Sequence, residues 1–295
     1  MSVVPRTLPG AEAVPAPPGA LVRSGLLRHP GVVFGSVVLA ALTVMAIFAP
    51  WLGTGDPLAI NPVERLKPPS ESAWLGTDFY GRDLYTRVVY GARISLVVGI
   101  TVATLAITIG LTIGLLAGYI RWLDAVIMRI MDGLMAIPAI LLAIALIALT
   151  GASLLTVVVA ITIPDIPRVV RLVRSVVLTI REEPYVQAAI AVGTRLPAIL
   201  VKHVLPNTIA PLVVQGTYVA ASAILAEAIL SFLGAGIPPE TPTWGNIMAE
   251  GRVYFVIAPR IILFPGVCLA FTVLAVNVLG DGLRDTVDPR MSRRA

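Results

Sequence analysis

Five long stretches of the chain carry no charged residue, and each is long enough to cross a lipid bilayer. They contain 26, 27, 32, 23 and 20 residues and cover 30–55, 94–120, 133–164, 204–226 and 261–280. A membrane-spanning helix needs about 20 predominantly apolar residues. The pattern therefore predicts an all-α protein that crosses the membrane several times.

The stretch 133–164 is too long for one span and too short for two complete spans joined by a turn. Gly151-Ala152-Ser153 interrupts it near the middle and is typical of a tight hairpin. The helix before this hairpin then begins near Val126, and the helix after it continues towards Arg168. Six spans are therefore predicted, over 30–52, 92–119, 127–149, 153–173, 208–233 and 259–281.

The composition agrees with a membrane protein, since 57% of the residues are hydrophobic and only 13% are charged, against about 25% charged in soluble domains. The net charge of +5 could suggest nucleic-acid binding, but basic residues in a membrane chain usually mark the cytoplasmic side. Placing both termini in the cytoplasm puts 15 of the 22 Lys and Arg residues inside. We therefore predict a multi-pass protein with no nucleic-acid partner, a disordered cytoplasmic tail over 1–29 and a second cytoplasmic tail over 282–295.

The predicted extracytoplasmic loop, 53–91, precedes the core 92–281 and is expected to contain an interfacial helix over 83–93. Asp83 and Arg87 have the i, i+4 spacing of a helical ion pair. The loop is thus expected to lead directly into the second span.

The predicted cytoplasmic loop 181–207 has the residues of a helical elbow. Pro184 suits the first turn of a helix, and Gly193 can adopt the left-handed conformation that ends one. Thr194 can then cap a second short helix, which Pro206 is expected to stop before the fifth span. By itself this pattern is equally compatible with a simple connector on the membrane surface.

The same loop resembles the EAA loop of ABC importer permeases, in which Glu-Ala-Ala is followed at fixed spacing by Gly and then by Leu-Pro. Gln187-Ala188-Ala189, Gly193 and Leu205-Pro206 fall at that spacing, with Gln187 in place of the Glu and His203 in place of the usual Ile. The resemblance implies that the helix from Pro184 to Gly193 couples the permease to an ATPase subunit. The residues it assigns to this coupling are Pro184, Tyr185, Gln187, Ala188, Ala189, Gly193, Leu205 and Pro206.

Three further segments occur in the order found in dipeptide and oligopeptide permeases of the C-subunit type. They are the run from Trp74-Leu-Gly-Thr-Asp78 to Gly91-Ala-Arg-Ile-Ser-Leu96, the loop 233–245, and Asn277 to Asp285 with Asp288-Pro289. The resemblance implies a type I importer permease fold and a role as a channel-forming subunit that moves peptides by alternating access.

The resemblance also implies the partners and the location of the complex. The expected partners are a homologous second permease, two ATPase subunits that bind ATP and Mg, and an extracytoplasmic substrate-binding protein. The expected location is the cytoplasmic membrane of a prokaryote. Nickel, glutathione or another small solute stays open as an alternative cargo.

The chain itself shows no sign of catalysis. It has no G-x-x-x-x-G-K-[ST] sequence for binding ATP phosphates, and its two histidines and single cysteine do not suggest a catalytic metal site. A second alternative function is proton-coupled secondary transport through Glu227, an acidic residue deep within a predicted span.

Inside the membrane, Gly110, Gly114 and Gly118 lie at four-residue spacing, which favours a close helix–helix contact. A charge at the position of Glu227 is costly in a bilayer, so we expect this side chain either to face the translocation pathway or to form a structural hydrogen bond. Gln215 and Asn277 are weaker candidates for the pathway, and helix–helix hydrogen bonds are the alternative for both.

Overall fold

The computed structural model describes residues 29–287, a range that contains helices and no β-strand. The predicted tail up to Arg28 and the segment from Asp288 onwards, which includes Asp288-Pro289, lie outside the described residues. The helices in chain order are α1 (Pro30–Ile47), α2 (Leu84–Tyr119), α3 (Arg121–Ala136), α4 (Ala139–Thr150), α5 (Leu154–Arg181), α6 (Pro184–Ala191), α7 (Leu196–Ile199), α8 (Leu205–Phe232), α9 (Trp244–Gly251) and α10 (Arg260–Val287). The predicted all-α class is confirmed for this part of the chain.

Four helices of the described chain are long and apolar enough to cross a membrane: α1, α2, the continuous helix Leu196–Phe232 and α10. The bent pair α3 and α4 raises the number to five if it forms one span. With 28 residues α5 has sufficient length, but three charged residues lie in its first 18 positions: Asp165, Arg168 and Arg171. Counting only the helices that are long and apolar enough therefore gives four or five spans, fewer than the predicted six.

The predicted third span, 127–149, is divided into two helices at Pro138. α3 and α4 are separated at Ile137-Pro138, and the two helices differ in direction by 89°. Ile137 has φ −92° and ψ 130°, because the ring of Pro138 disfavours the helical conformation in the residue before it. With its 12 residues, α4 is about 18 Å long, which is shorter than the hydrocarbon core of about 30 Å.

The predicted interfacial helix 83–93 and the second span are one element, α2, with 36 residues. Asp83 is its N-cap and accepts a hydrogen bond from the backbone N–H of Thr86 at 2.9 Å, which satisfies a donor that the helix leaves free. At about 1.5 Å per residue, α2 is about 54 Å long. It therefore extends well beyond the thickness of a bilayer.

The three glycines of α2 lie directly against α5. A Cβ atom added to Gly110, Gly114 or Gly118 would lie 2.5 to 2.7 Å from the Cβ of the facing valine on α5. The facing valines are, in the same order, Val169, Val173 and Val177. The two backbones thus approach more closely than any side chain larger than hydrogen would allow, and we refer to this contact as the glycine seam.

At the opposite end from α6, the short helix α9 is locked against the start of α2. Trp244 is fully buried, and its indole N–H donates to the carbonyl oxygen of Val88 at 3.1 Å. The side chain of Asn246 donates to the carbonyl oxygens of Ile237 and Thr241 at 3.0 and 3.1 Å. These contacts fix the loop between α8 and α9 to the bundle.

Candidate functional site

The first candidate site is α6, an eight-residue helix that joins α5 to α7 at one end of the bundle. Glu183 is its N-cap residue and Pro184 occupies the first helical position, where its missing N–H costs nothing. Val186 is the one buried residue of this helix, with no exposed surface. The predicted coupling residues in this helix are exposed or half-buried: Pro184, Tyr185, Gln187, Ala188 and Ala189. The helix therefore rests on a single apolar anchor and presents most of its surface outwards.

Gln187, which departs from the motif, has a specific role in holding α6 in place. Its side-chain amide donates to the carbonyl oxygen of Arg181 at 2.8 Å, at the end of α5. The carbonyl groups in the last turn of a helix lack intrahelical partners, so this hydrogen bond satisfies one of them. Tyr185 adds a second link, because its hydroxyl oxygen accepts from the side chain of Asn207 at 3.2 Å.

Replacing Gln187 with glutamate, the residue of the motif, is expected to weaken this attachment. An ionised carboxylate cannot donate to the Arg181 carbonyl, and losing one such hydrogen bond costs about 0.5–1.5 kcal/mol. Amide hydrogen exchange of residues 184–191 in the purified complex should become about 2–10-fold faster. The role assigned to the Gln187 amide donor would be contradicted by one result: amide hydrogen exchange of residues 184–191 that stays unchanged in Q187E but increases in Gln187→Met.

Gly193 ends α6 in the left-handed conformation, with φ +80°. Its N–H donates to the carbonyl oxygen of Ile190 at 2.9 Å, and the N–H of Thr194 donates to that of Ala189 at 3.0 Å. A Cβ atom on Gly193 would meet nothing within 4 Å. The requirement for glycine here therefore comes from the backbone conformation and not from lack of space.

The second half of the elbow differs from the prediction in two respects. The N-cap of α7 is Arg195 and not Thr194. Pro206 does not stop the helix, because residues 200–204 form a π-helical turn and the chain continues from Leu196 to Phe232 without a break. The prolyl ring would clash with a carbonyl four residues earlier in a regular α-helix, and the wider turn, which includes that carbonyl at Lys202, accommodates it. Leu205 and Pro206 therefore begin α8 and do not form a separate corner.

Four charged side chains, three of them buried and Glu250 half-buried, connect the loop after α1 to α2 and α9. The carboxylate of Asp78 accepts from Arg82 Nε at 2.7 Å and from Arg87 at 2.8 Å, and Glu250 accepts from Arg82 at 2.6 Å. Arg87 is fully buried. The expected pair of Asp83 with Arg87 is therefore wrong, because Asp83 caps α2 and Arg87 binds Asp78 and Glu250. Glu250 lies 163 residues from Arg87 and no local spacing could have identified it.

Glu227 lies on α8 and is fully buried within the described chain. Its carboxylate accepts from the hydroxyl of Ser231 at 2.8 Å and from that of Ser95 on α2 at 3.5 Å. A carboxyl group in an apolar interior needs such partners. In this conformation the side chain therefore joins α2 to α8, inside the subunit.

Gln215 on α8 and Asn277 on α10 are half-buried. Within residues 29–287, neither side chain forms one of the expected hydrogen bonds between helices. A cavity of about 500 Å³ lies between α1, α2, α8 and α10, and its polar lining consists of four threonines: Thr43, Thr104, Thr108 and Thr217. Glu227, Gln215 and Asn277 do not line it, so these three residues do not form one common site.

Sequence reasoning singled out Glu227 and overlooked Asp165, which lies inside α5 and also within the predicted fourth span. The signal was present, because Asp165 follows Pro164 and precedes Arg168 in an otherwise apolar segment. Over the part of the chain that the structure describes, no group of three or more His, Cys, Asp or Glu side chains could hold a metal ion.

Comparison with known families places this geometry in context. The family model for the binding-protein-dependent transport system inner membrane component matches residues 110–293. The model for the N-terminal transmembrane domain of oligopeptide transport permease C matches residues 18–69. The two matches together cover α1 and the chain from the middle of α2 to α10, including the elbow around α6.

Several curated proteins are similar over nearly their whole length. A probable peptide ABC transporter permease of Sinorhizobium fredii is 56% identical over 90% of this chain and 91% of its own. A dipeptide transport system permease of Alkalihalophilus pseudofirmus is 45% identical over 88% of this chain and 86% of its own. A glutathione transport system permease of Salmonella typhimurium is 44% identical over 90% of this chain and 88% of its own.

Among solved structures, a chain of the MetNI methionine ABC transporter in inward-facing conformations superposes with a TM-score of 0.56. It is 22% identical in sequence and covers 68% of this chain and 97% of its own. At this identity the match concerns the fold, and the predicted importer permease fold is confirmed by it.

Proposed function

Because the chain belongs to the family of binding-protein-dependent transport system inner membrane components, we propose that it forms half of the translocation pathway of an ATP-driven peptide importer. The other half would come from a homologous permease. Two ATPase subunits, which bind ATP and Mg, would attach to α6 and to the corresponding helix of the second permease. A substrate-binding protein would dock at the opposite end of the bundle, where α9 lies. The chain itself carries out no covalent chemistry.

The observation that carries this proposal is the exposed α6 between two long helices. The chain enters α6 directly from α5, with 28 residues, and leaves it through the continuous helix Leu196–Phe232, with 37 residues. A displacement of α6 by an ATPase would therefore act on two stiff elements that cross the bundle. The glycine seam fixes α5 to α2, so α2 would follow the same movement.

A contact between the ends of the described chain supports an even number of crossings. Nε2 of His29, at the start of α1, lies 3.5 Å from Oδ2 of Asp285 near the end of α10, so the described chain begins and ends at the same end of the bundle. This excludes five crossings, and six are reached when both α5 and the bent pair α3 and α4 count as spans. With α6 facing cytoplasmic ATPases, both termini would lie in the cytoplasm of a prokaryotic cell.

Peptides are the cargo that the relatives favour. The names of the relatives at 56% and 45% identity specify peptide and dipeptide transport. Glutathione, named for a relative at 44% identity, is the second candidate. A competition experiment distinguishes these two cargoes. If the proposal is correct, excess unlabelled dipeptide should suppress the uptake of labelled dipeptide far more than excess glutathione does.

The direct test is reconstitution of the chain with a homologous second permease, two ATPase subunits and a substrate-binding protein. Proteoliposomes containing all subunits should accumulate labelled dipeptide only when ATP and the binding protein are both supplied. Transport by the isolated chain, driven by a pH gradient without ATP, would overturn the proposal in favour of proton-coupled transport.

Replacing Glu227 with glutamine separates the same two functions within the assembled complex. Glutamine has the same shape: its carbonyl oxygen can accept from Ser231, and its amide N–H can donate to the hydroxyl oxygen of Ser95. We therefore expect ATP-driven uptake within about twofold of wild type. Glu227→Leu should lose complex stability, because about 1–3 kcal/mol is expected when buried hydroxyls lose their partner. A complete loss of uptake in E227Q, at unchanged complex yield, would support a proton-carrying role.

A further inference from the structure

Two charged residues of α5 lie at a depth where α5 should cross the middle of the membrane. Asp165 is the twelfth residue of this helix, which places it about 17 Å from the helix start, near the centre of a hydrocarbon core of about 30 Å. Arg168 lies one turn further on, and the two side chains form a single contact of 3.4 Å. Charged side chains at this depth are costly and usually mark substrate or ion pathways.

Both residues line a cavity of about 150 Å³ between α4, α5 and α8. The rest of its lining is small or aliphatic apart from one hydroxyl, that of Ser222. The hydroxyl of Ser222 already donates to the carbonyl oxygen of Val219 at 3.0 Å. Asp165 and Arg168 are therefore the only charged groups that this cavity offers to a ligand in the described part of the chain.

The ion pair is loosely made in comparison with the others near it. Arg174 binds Asp124 through two nitrogen atoms, one of them at 2.7 Å, and Arg171 binds Asp132 at 2.5 Å. Asp165 is 11% exposed and Arg168 is 57% exposed, and only one nitrogen of Arg168 reaches the carboxylate. Most of the guanidinium donors are thus available to another acceptor.

The helix around this pair also contains two backbone carbonyl groups whose usual donors are missing. Pro164 and Pro167 have no N–H, so the carbonyl oxygens of Ala160 and Ile163 lack their usual donors four residues later. α5 is therefore more polar at this level than its apolar neighbours on α4, whose 12 residues include no charge.

From these observations we propose that Asp165 and Arg168 form a transient binding site for the charged ends of a short zwitterionic peptide. The Asp165 carboxylate accepts from the terminal ammonium group, and the Arg168 guanidinium donates to the terminal carboxylate, for which its planar donor geometry is suited. The inference rests on the proposed peptide-import function and specifies where the pathway recognises its cargo.

The size of the cavity agrees with a half-site. Ligand pockets usually have volumes of about 300–1,000 Å³, and this cavity reaches about half of the lower bound. The second permease would complete the site from the opposite side. A half-site of this kind favours weak, brief binding, which a translocation step requires.

The experiment compares dipeptide uptake and ATP hydrolysis in proteoliposomes that contain the complete complex. We expect D165N, R168Q and the double variant D165N/R168Q to reduce dipeptide uptake at least tenfold at equal subunit content. ATP hydrolysis stimulated by the loaded binding protein should stay within twofold of wild type, because α6 is unchanged. As the matched control, D132N/R171Q removes an ion pair between α3 and α5 away from the cavity, and should keep uptake within threefold.

Two results would overturn the inference. If the pair only balances its own charges, the double variant should recover near wild-type uptake, since removing both partners leaves no buried charge unpaired. If the pair supports the conformational change, uptake and ATP hydrolysis should fall together. The same assay distinguishes failure of the site from failure of the proposed function. If the wild-type complex shows no ATP-driven dipeptide uptake, the proposed function is refuted, and the inference with it. If the wild-type complex and the double variant both take up dipeptide, only the site is refuted.

Discussion

Replacing Gly114 with leucine is expected to abolish accumulation of the folded permease in the membrane. The first side-chain atom alone would lie 2.7 Å from Val173 Cβ and 3.0 Å from the carbonyl oxygen of Val170. The backbone carbonyl of Val170 cannot move aside as a flexible side chain could, so α2 and α5 would have to separate along the glycine seam. Overpacking of this kind costs about 1–3 kcal/mol for one or two added methylenes and more for larger groups.

The measurement is the yield and melting temperature of the complex extracted in detergent. Gly133→Leu is the matched control, because a Cβ atom at Gly133 on α3 meets nothing within 4 Å and leucine has the higher helix propensity. We also expect the exchange G114A/V173G to recover part of the yield that Gly114→Ala loses, since it removes the Val173 side chain that the new methyl group would meet. Normal yield of Gly114→Leu would show that the seam is not closed in the native complex.

Sequence patterns located most of the helices because the uncharged stretches and the helices have the same physical cause. A backbone in hydrocarbon must satisfy its own hydrogen bonds, so an apolar run of about 20 residues becomes a helix. The predicted first, fifth and sixth spans correspond to α1, α8 and α10, with ends that differ by several residues. α10 continues past its predicted end into a polar segment, as far as Val287, whereas α1 stops at Ile47, before its predicted end.

Proline residues were harder to interpret, since their effect depends on the neighbouring backbone. Pro138 turns the chain through 89°, whereas Pro206 is absorbed by the π-helical turn before it. Pro164 and Pro167 lie inside α5 without ending it. Sequence alone indicates that a helix is perturbed at such a residue, but not whether it bends, widens or continues.

Buried polar contacts were the least predictable feature, because their partners are distant in the chain. Arg87 had a plausible local partner in Asp83, yet it binds Asp78 and Glu250. Glu227 could be identified as an unusual residue in a span, and Ser231 lies four residues away, but its second partner, Ser95, lies 132 residues away. A pattern can therefore show that a charge needs a partner without showing which one it finds.

Replacing Gly193 with valine is expected to uncouple transport from the ATPases while the bundle remains folded. A β-branched residue at φ +80° is a severe outlier, and even an unbranched side chain costs about 1–2 kcal/mol in the left-handed conformation. The chain would relieve this strain by re-orienting α6 relative to α7, because α6 is anchored by Val186 and a few hydrogen bonds. We expect ATP-driven uptake and ATPase stimulation both to fall about 5–30-fold, as a cost of this size implies.

Gly193→Asn is the matched control for this prediction, because asparagine tolerates the left-handed conformation and a Cβ atom meets nothing within 4 Å at this position. It should keep uptake and ATPase stimulation within about threefold of wild type, at a complex yield equal to that of G193V. A difference between the two variants would then come from the backbone conformation alone. If valine and asparagine gave the same activity, α6 would not need the geometry that Gly193 imposes, and the coupling role assigned to this elbow would have to be abandoned.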